Sequence, residues 1–188
     1  MGNNQSIDDL RDLIITDYTN NGRKSLGDLK TTRLPRLDAV FGGTKAIDIT
    51  TASVERYKTL RLKDKSAPAT VTRELASLKR MFRLGLRQGM VATMPYFSML
   101  AEHNVRKGFF ELDQFQATLE HLPSEYHALF ELAYITGWRM KSELLTRQCR
   151  HVDLDGKGWL RIDPGEAKDA SSGREFRFTT WMREALDV

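Results

Sequence analysis

An arginine delivered at a tight corner, four residues ahead of a glutamate, is the arrangement in this chain best suited to chemistry. It lies in Thr136-Gly137-Trp138-Arg139-Met140-Lys141-Ser142-Glu143-Leu144-Leu145. Phe130, Leu132, Ala133 and Ile135 form an apolar helical run that Thr-Gly closes, and Met140, Leu144 and Leu145 carry a second helix. Gly137 can take the positive φ that ends a helix abruptly, and Glu143 follows Arg139 by one helical turn. A guanidinium at such a corner can aim its planar fork of donors at a phosphate. The same residues also describe a plain helix-turn-helix joint with a solvated arginine and an i, i+4 Arg–Glu pair, so the motif alone leaves both readings open.

A second group with chemical potential lies on a helix expected over residues 70–88. At about 100° per residue, Val71, Leu75, Leu78, Phe82 and Leu86 fall on one stripe, and Arg73, Lys79, Arg80, Arg83 and Arg87 fall opposite. One side packs and the other is basic. The net charge of the chain is +4, yet residues 60–107 hold ten basic side chains against three acidic ones. That segment is +7 and the rest sums to −3. A local positive field on a near-neutral body points to a polyanion, with a solvated basic face as the alternative.

Other chemistries find little support. The single cysteine, Cys149, excludes an internal disulfide and argues against a thiolate metal site; it reads as a core or semi-buried thiol. His103, His121, His127 and His151 show no ligand spacing with it. No apolar run approaches a membrane span, and the start MGNNQSIDD lacks the basic end and apolar core of a signal peptide, so the expected location is cytoplasmic.

The length of 188 residues, 40% of them hydrophobic, suits one medium domain or two small ones. Ser6 and Asp9 spell a capping box for a first helix ending near Asn20. Ser25 can cap a second helix through Phe41 that Pro35 must kink or divide. Residues 47–50 read as a short extended piece and 52–63 as a third helix burying Val54, Tyr57 and Leu60. Ser66 or Thr70 caps the basic helix, with Pro68 in its first turn. Tyr96 and Phe97 read as packing residues, and the polar phrase Glu102-His103-Asn104-Val105-Arg106-Lys107-Gly108 as a domain boundary. Helices at 113–122 and 124–135 and the Arg139 helix should follow. The period then changes to that of strands: 151–154 and 159–162 around a turn, a further hairpin from Glu166-Ala167-Lys168 to 174–178, and a last helix at 181–186 capped by Thr179 or Thr180.

The order of these features resembles the tyrosine recombinases, or phage-type integrases. The carriers are the basic helical domain, the polar linker, the Thr-Gly-x-Arg-x-x-Glu corner, a hairpin entered through His151-Val152-Asp153-Leu154-Asp155, and Lys168 before a turn leading to Gly173-Arg174-Glu175-Phe176. The phrases Val105-Arg106-Lys107-Gly108-Phe109-Phe110 and Thr70-Val71-Thr72-Arg73-Glu74-Leu75-Ala76-Ser77-Leu78-Lys79-Arg80 also look like that family. The resemblance implies a mainly α chain. Residues 1–103 would be a SAM-like helical bundle, the core-binding domain; 104–110 would be the linker, and 107–188 the first part of an α+β catalytic domain with a small antiparallel sheet. It implies a clamp on duplex DNA, in which the 70–88 helix and the surroundings of Arg139 and Lys168 line one groove. Arg139 would contact the scissile phosphate, Glu143 would support it, and Lys168 would be the general acid for the leaving 5′ hydroxyl. Guanidinium donors suit charge on non-bridging oxygens; an ammonium can release a proton where a guanidinium cannot. No metal, cofactor or small-molecule substrate is implied.

The family's His-x-x-Arg box, late His or Trp, and nucleophilic tyrosine are not found after the hairpin. Tyr18, Tyr57, Tyr96, Tyr126 and Tyr134 all precede Arg139, and Tyr57, Tyr126 and Tyr134 sit at helical core positions. His103-Asn104-Val105-Arg106 spells the box but precedes Arg139, and Trp181 lies too close to the hairpin and reads as core. The chain is therefore expected to bind a recombination site without cutting it, to expose apolar surface in its second half, and to self-associate on DNA. A non-catalytic regulator occupying recombination sites is the alternative, and a helical protein-interaction module a more distant one.

Overall fold

The computed structural model describes residues 5–102, 108, 110–154, 158–166 and 172–185. The chain is mainly α with one small antiparallel sheet, as the sequence implies. It divides into two compact units, Met1–Val105 and Arg106–Val188. Among the described residues no helix is long and apolar enough to cross a membrane.

The first unit is a helical bundle. Helix α1, Ile7–Asn20, starts on the expected Ser6/Asp9 capping box and buries Ile7, Leu10, Ile14 and Tyr18. Ser25 makes no capping bond, and Pro35 does not simply kink the next helix. Helix α2 (Leu26–Asp28) widens into a π turn, Leu29–Arg33, before α3 (Leu34–Phe41) resumes with Pro35 in its first turn. The wider turn accommodates a residue that lacks an N–H and crowds the carbonyl four residues back. Of the expected extended piece at 47–50 only Ile49 and Thr50 are extended, with Thr50 as the cap of the next helix; Ala46–Asp48 forms a 3₁₀ turn that buries Ala46 and leaves Ile47 outside. Helix α4, Thr51–Lys63, has a Thr50/Ser53 capping box and buries Val54 and Tyr57, but Leu60 stands on its outer side, 44% exposed. Helix α5, Pro68–Arg87, has Pro68 in its first turn and Ala67 as its N-cap, so neither Ser66 nor Thr70 caps it. Phe97 is buried, but Tyr96 is 72% exposed.

Helices α4 and α5 are tied by a buried triad. Glu74 is 1% exposed on the inner side of α5. Its carboxylate accepts from the Tyr57 hydroxyl at 2.8 Å and from Arg61 Nε and Nη2 at 3.0 and 2.8 Å. The hydrogen bonds to Glu74 hold the Arg61 guanidinium more firmly protonated, and burial pushes the Tyr57 phenol up. Three charge-assisted or polar donors thus satisfy the oxygens of a carboxylate that is almost without solvent.

The second unit places α6 (Leu112–Leu119) and α7 (His127–Thr136) ahead of a three-stranded antiparallel meander, β1 (Val152–Asp153), β2 (Trp159–Ile162) and β3 (Arg174–Arg177). The expected separate second hairpin is instead the third strand of one sheet: Ile162 pairs with Arg174 and Trp159 with Arg177. Helix α8, Thr180–Ala185, begins with the Met182 N–H donating to Thr179 Oγ1. Trp138, Leu144, Leu160 and Ile162 form the core, with Phe176 and Phe178 packed against it. Phe115 stacks on Tyr134 at 4.2 Å between centroids, with Trp181 and Phe110 at its edges. Helix α7 is mostly apolar, with His127, Glu131 and Thr136 as its polar residues, and every one of its residues is half-buried. Two further expectations fail. Cys149 is exposed, and Tyr126 is 45% exposed because it ends a 3₁₀ turn (Ser124–Tyr126) and not a core helix.

Arg61→Met strands the Glu74 carboxylate and should cost the first unit about 3–5 kcal/mol in urea unfolding. Replacing both Arg61 and Glu74 by Met should cost distinctly less than Arg61→Met alone; an equal or larger cost would show that the carboxylate is not what Arg61 compensates.

Candidate nucleic-acid interface

The corner ahead of Arg139 is built by three consecutive residues. Gly137 adopts φ +65° and its N–H closes α7 on the Ala133 carbonyl at 3.0 Å. Thr136 Oγ1 donates to the Leu132 carbonyl at 2.5 Å and accepts from the Trp138 N–H at 3.2 Å, which turns the chain inward at Trp138. Arg139 is extended (φ −71°, ψ 119°), and Met140–Leu144 forms a single π turn instead of the longer helix expected there. The Arg139 carbonyl accepts from the N–H groups of both Glu143 and Leu144, at 2.8 and 3.2 Å.

Glu143 is the pivot of the site. It is 1% exposed. Its Oε2 accepts the Arg139 N–H at 2.8 Å, and its Oε1 accepts Arg139 Nη1 at 2.9 Å and Arg174 Nη2 at 2.7 Å. The Arg139 backbone N–H, with Arg174 and the Arg139 side chain adding to it, holds this carboxyl below the usual range despite burial. Both guanidiniums keep solvent access, the Arg139 side chain at 55% and Arg174 at 44%. Arg174 also lies over the buried Trp138 ring, 5.7 Å from its centroid. Lys168, the expected general acid, lies outside the described residues, as do His103 and Arg106.

On α5 the expected basic residues do not behave alike. Arg73, Arg83 and Arg87 are exposed and Lys79 is half-buried; none of the four forms an ion pair among the described residues. Lys79, Arg83 and Arg87 line a shallow depression of about 250 Å³ with Ala76, Arg80 and Leu84. Arg80 differs. Its Nη2 and Nε donate to Asp17 Oδ2 at 2.6 and 3.1 Å, and its guanidinium lies over the Tyr18 ring. Part of its charge is therefore spent on docking α1.

A third cluster joins His151, Asp163 and Glu166, whose ligating atoms lie within 4.8 Å of one another. His151 is fully buried, and its Nδ1 accepts the Gln148 N–H at 3.0 Å. That bond leaves the hydrogen on Nε2, which faces Asp163 Oδ2 at 3.4 Å and Glu166 Oε1 at 3.6 Å. A metal at Nε2 would need the ring stripped of both protons, and Arg147 (2.6 Å) and Arg161 (3.0 Å) already neutralise the carboxylates. The donor set fits a structural clasp at the end of β2, not a cation site.

Arg174 was not among the candidate site residues read from the sequence. The signal was its register: it shares a strand face with Phe176, which packs on the core, and an arginine directed inward requires a carboxylate. Gly173 makes that register reachable. A Cβ there would meet the Ile162 carbonyl oxygen at 2.7 Å and the Pro164 ring at 3.1 Å.

No protein-family model matches the sequence, and no curated protein matches it significantly. Solved structures do. A lambda integrase dimer bound to a COC′ core site gives a TM-score of 0.78 at 16% identity, covering 98% of this chain and 54% of that one. A lambda integrase tetramer bound to a Holliday junction gives 0.75 at 18% identity, covering 97% and 55%. The Tn1549 transposon integrase with transposon right-end DNA gives 0.73 at 18% identity, covering 95% and 63%. The chain thus spans less than two thirds of the proteins it matches.

Because its pKa is depressed on folding, Glu143 contributes stability that is present above the ordinary carboxylate pKa near 4.5 and is lost as pH falls through the folded value. Glu143→Gln should unfold more easily than the parent at neutral pH, and the difference should shrink as pH drops below that range. A gap that persists unchanged in acid would mean that the charge of Glu143 does not hold the two arginines.

Proposed function

We propose that this chain, whose fold is that of the tyrosine recombinases, is the DNA-gripping part of a site-specific integrase. The observation that carries the reading is the row Lys79, Arg83 and Arg87 on α5. These cations have no acidic partner among the described residues, in a fold otherwise seen in integrases bound to DNA. Duplex DNA is the partner, and neutralising its phosphates with such a row supplies sequence-independent affinity through counterion release. Residues 1–103 act as the core-binding domain, 104–110 as the linker, and 107–188 as the start of the catalytic domain. The protein works in the cytoplasm of a bacterial host or from a phage or mobile element, and self-associates on its site.

In the second unit Arg139 meets the scissile phosphate. Its guanidinium is fixed on one edge by Glu143, so its remaining donors are aligned before a ligand arrives. Lys168 serves as general acid to the leaving oxygen. The full reaction is site-specific recombination and DNA integration, and it requires a nucleophile. Of the five tyrosines, Tyr18 and Tyr57 are buried, Tyr57 is bonded to Glu74 and Tyr134 is stacked on Phe115, whereas Tyr96 and Tyr126 are exposed.

Two measurements test the reading. Arg83→Glu combined with Arg87→Glu should weaken binding to a labelled duplex by about 10- to 100-fold and lower the slope of log affinity against log salt by about 2. Neither side chain holds the fold together, so unchanged binding would remove α5 from the interface. On a nicked suicide duplex these 188 residues should form no covalent protein–DNA adduct; an adduct trapped at Tyr96 or Tyr126 would overturn the non-cutting assignment.

A further inference from the structure

Arg174 presents the same chemistry as Arg139 and is held by the same atom. Arg139 Nη1 and Arg174 Nη2 both donate to Glu143 Oε1, at 2.9 and 2.7 Å, so the two guanidiniums are neighbours by construction. The pivot they share is buried, while both side chains keep about half of their surface in solvent. Each guanidinium spends one nitrogen on Oε1 and retains further N–H donors. Two positive charges against one carboxylate leave the group one charge short of neutrality. A single monoanion with several acceptor oxygens restores the balance, and a phosphodiester has that charge and geometry.

The group is also rigid. Arg139 is fixed at its backbone by Glu143 Oε2 and the π turn behind it. Arg174 is fixed by strand pairing with Ile162, by Glu143, and by the Trp138 ring beneath it. An arginine needed only to neutralise Glu143 would be redundant, since Arg139 already pairs with that carboxylate.

We propose that Arg174 is a second phosphate-binding residue, forming with Arg139 a two-guanidinium seat for one DNA phosphodiester, with the buried Glu143 as its hinge pin. The proposal rests on the DNA-binding reading above and adds a contact to it. The seat selects an oxyanion carrying one negative charge, and the planar forks favour two oxygens of the same phosphate over a point-like halide.

The test measures binding of the whole chain to a short labelled duplex of arbitrary sequence over a range of salt concentrations. Arg174→Gln should weaken binding by about tenfold and lower the salt slope by about 1. Arg174→Lys, which keeps the charge but not the fork, should restore the slope and recover only part of the affinity. A chain that binds the duplex with the same slope in the parent and in Arg174→Gln overturns the assignment. So does an Arg174→Gln chain whose lost slope comes with a lowered thermal midpoint and is not restored by Arg174→Lys, because the residue would then be bracing Glu143 and not touching phosphate. If the parent chain does not bind the duplex at all, the preceding functional reading fails first, and the outcomes are thereby separable.

Discussion

A buried carboxylate with three donors converging on it organises the second unit. Glu143 draws a backbone N–H and one guanidinium from the corner at Arg139, and another guanidinium from the strand that carries Arg174. An ionised carboxylate almost without solvent is costly, and only such a set of donors offsets that cost. In consequence two segments that are 31 residues apart in sequence cannot drift independently. The helix stop at Gly137, the single π turn and the pairing of β2 with β3 all serve to bring those donors to the same carboxylate. The arrangement also explains why both arginines remain half in water: the carboxylate is inside, and the cations reach it from the rim.

The first unit handles charge differently. Helix α5 keeps one acid on its packed side and satisfies it with Arg61 and Tyr57, and it keeps its cations on the opposite side. The positive count of residues 60–107 therefore overstates the external field. Arg61 is committed to Glu74 and Arg80 largely to Asp17, whereas Arg73, Lys79, Arg83 and Arg87 are uncommitted among the described residues. A charge tally weights all of these equally; only the acids' positions separate them.

Much of this was legible beforehand. The capping boxes at Ser6 and Thr50, the packed stripe Val71, Leu75, Leu78 and Phe82, the corner at Gly137 and the Arg139–Glu143 pair follow from local rules, because their partners lie within one helical turn. What escaped was non-local or depended on the exact period. Arg174 to Glu143, Arg80 to Asp17 and Arg61 to Glu74 each need a tertiary contact to exist. The turn at Ala46–Asp48, the widened Leu29–Arg33 turn and the joining of β3 to β2 each replaced a nearby alternative with a similar hydrophobic pattern. Cys149 and Tyr126 are exposed because short 3₁₀ turns turn outward positions that a regular helix would have covered.

Gly173 touches neither arginine's charge, yet it decides where one of them can stand. With hydrogen alone at that position, the backbone slides close to the Ile162 carbonyl and the Pro164 ring, and the next residue emerges opposite Ile162. A random-mutagenesis screen for lost anion affinity would thus return hits at a chemically silent residue. Their signature would be a displaced strand, and restoring charge elsewhere would not repair them. In this protein the reach of a cation is set by its neighbour's lack of a side chain.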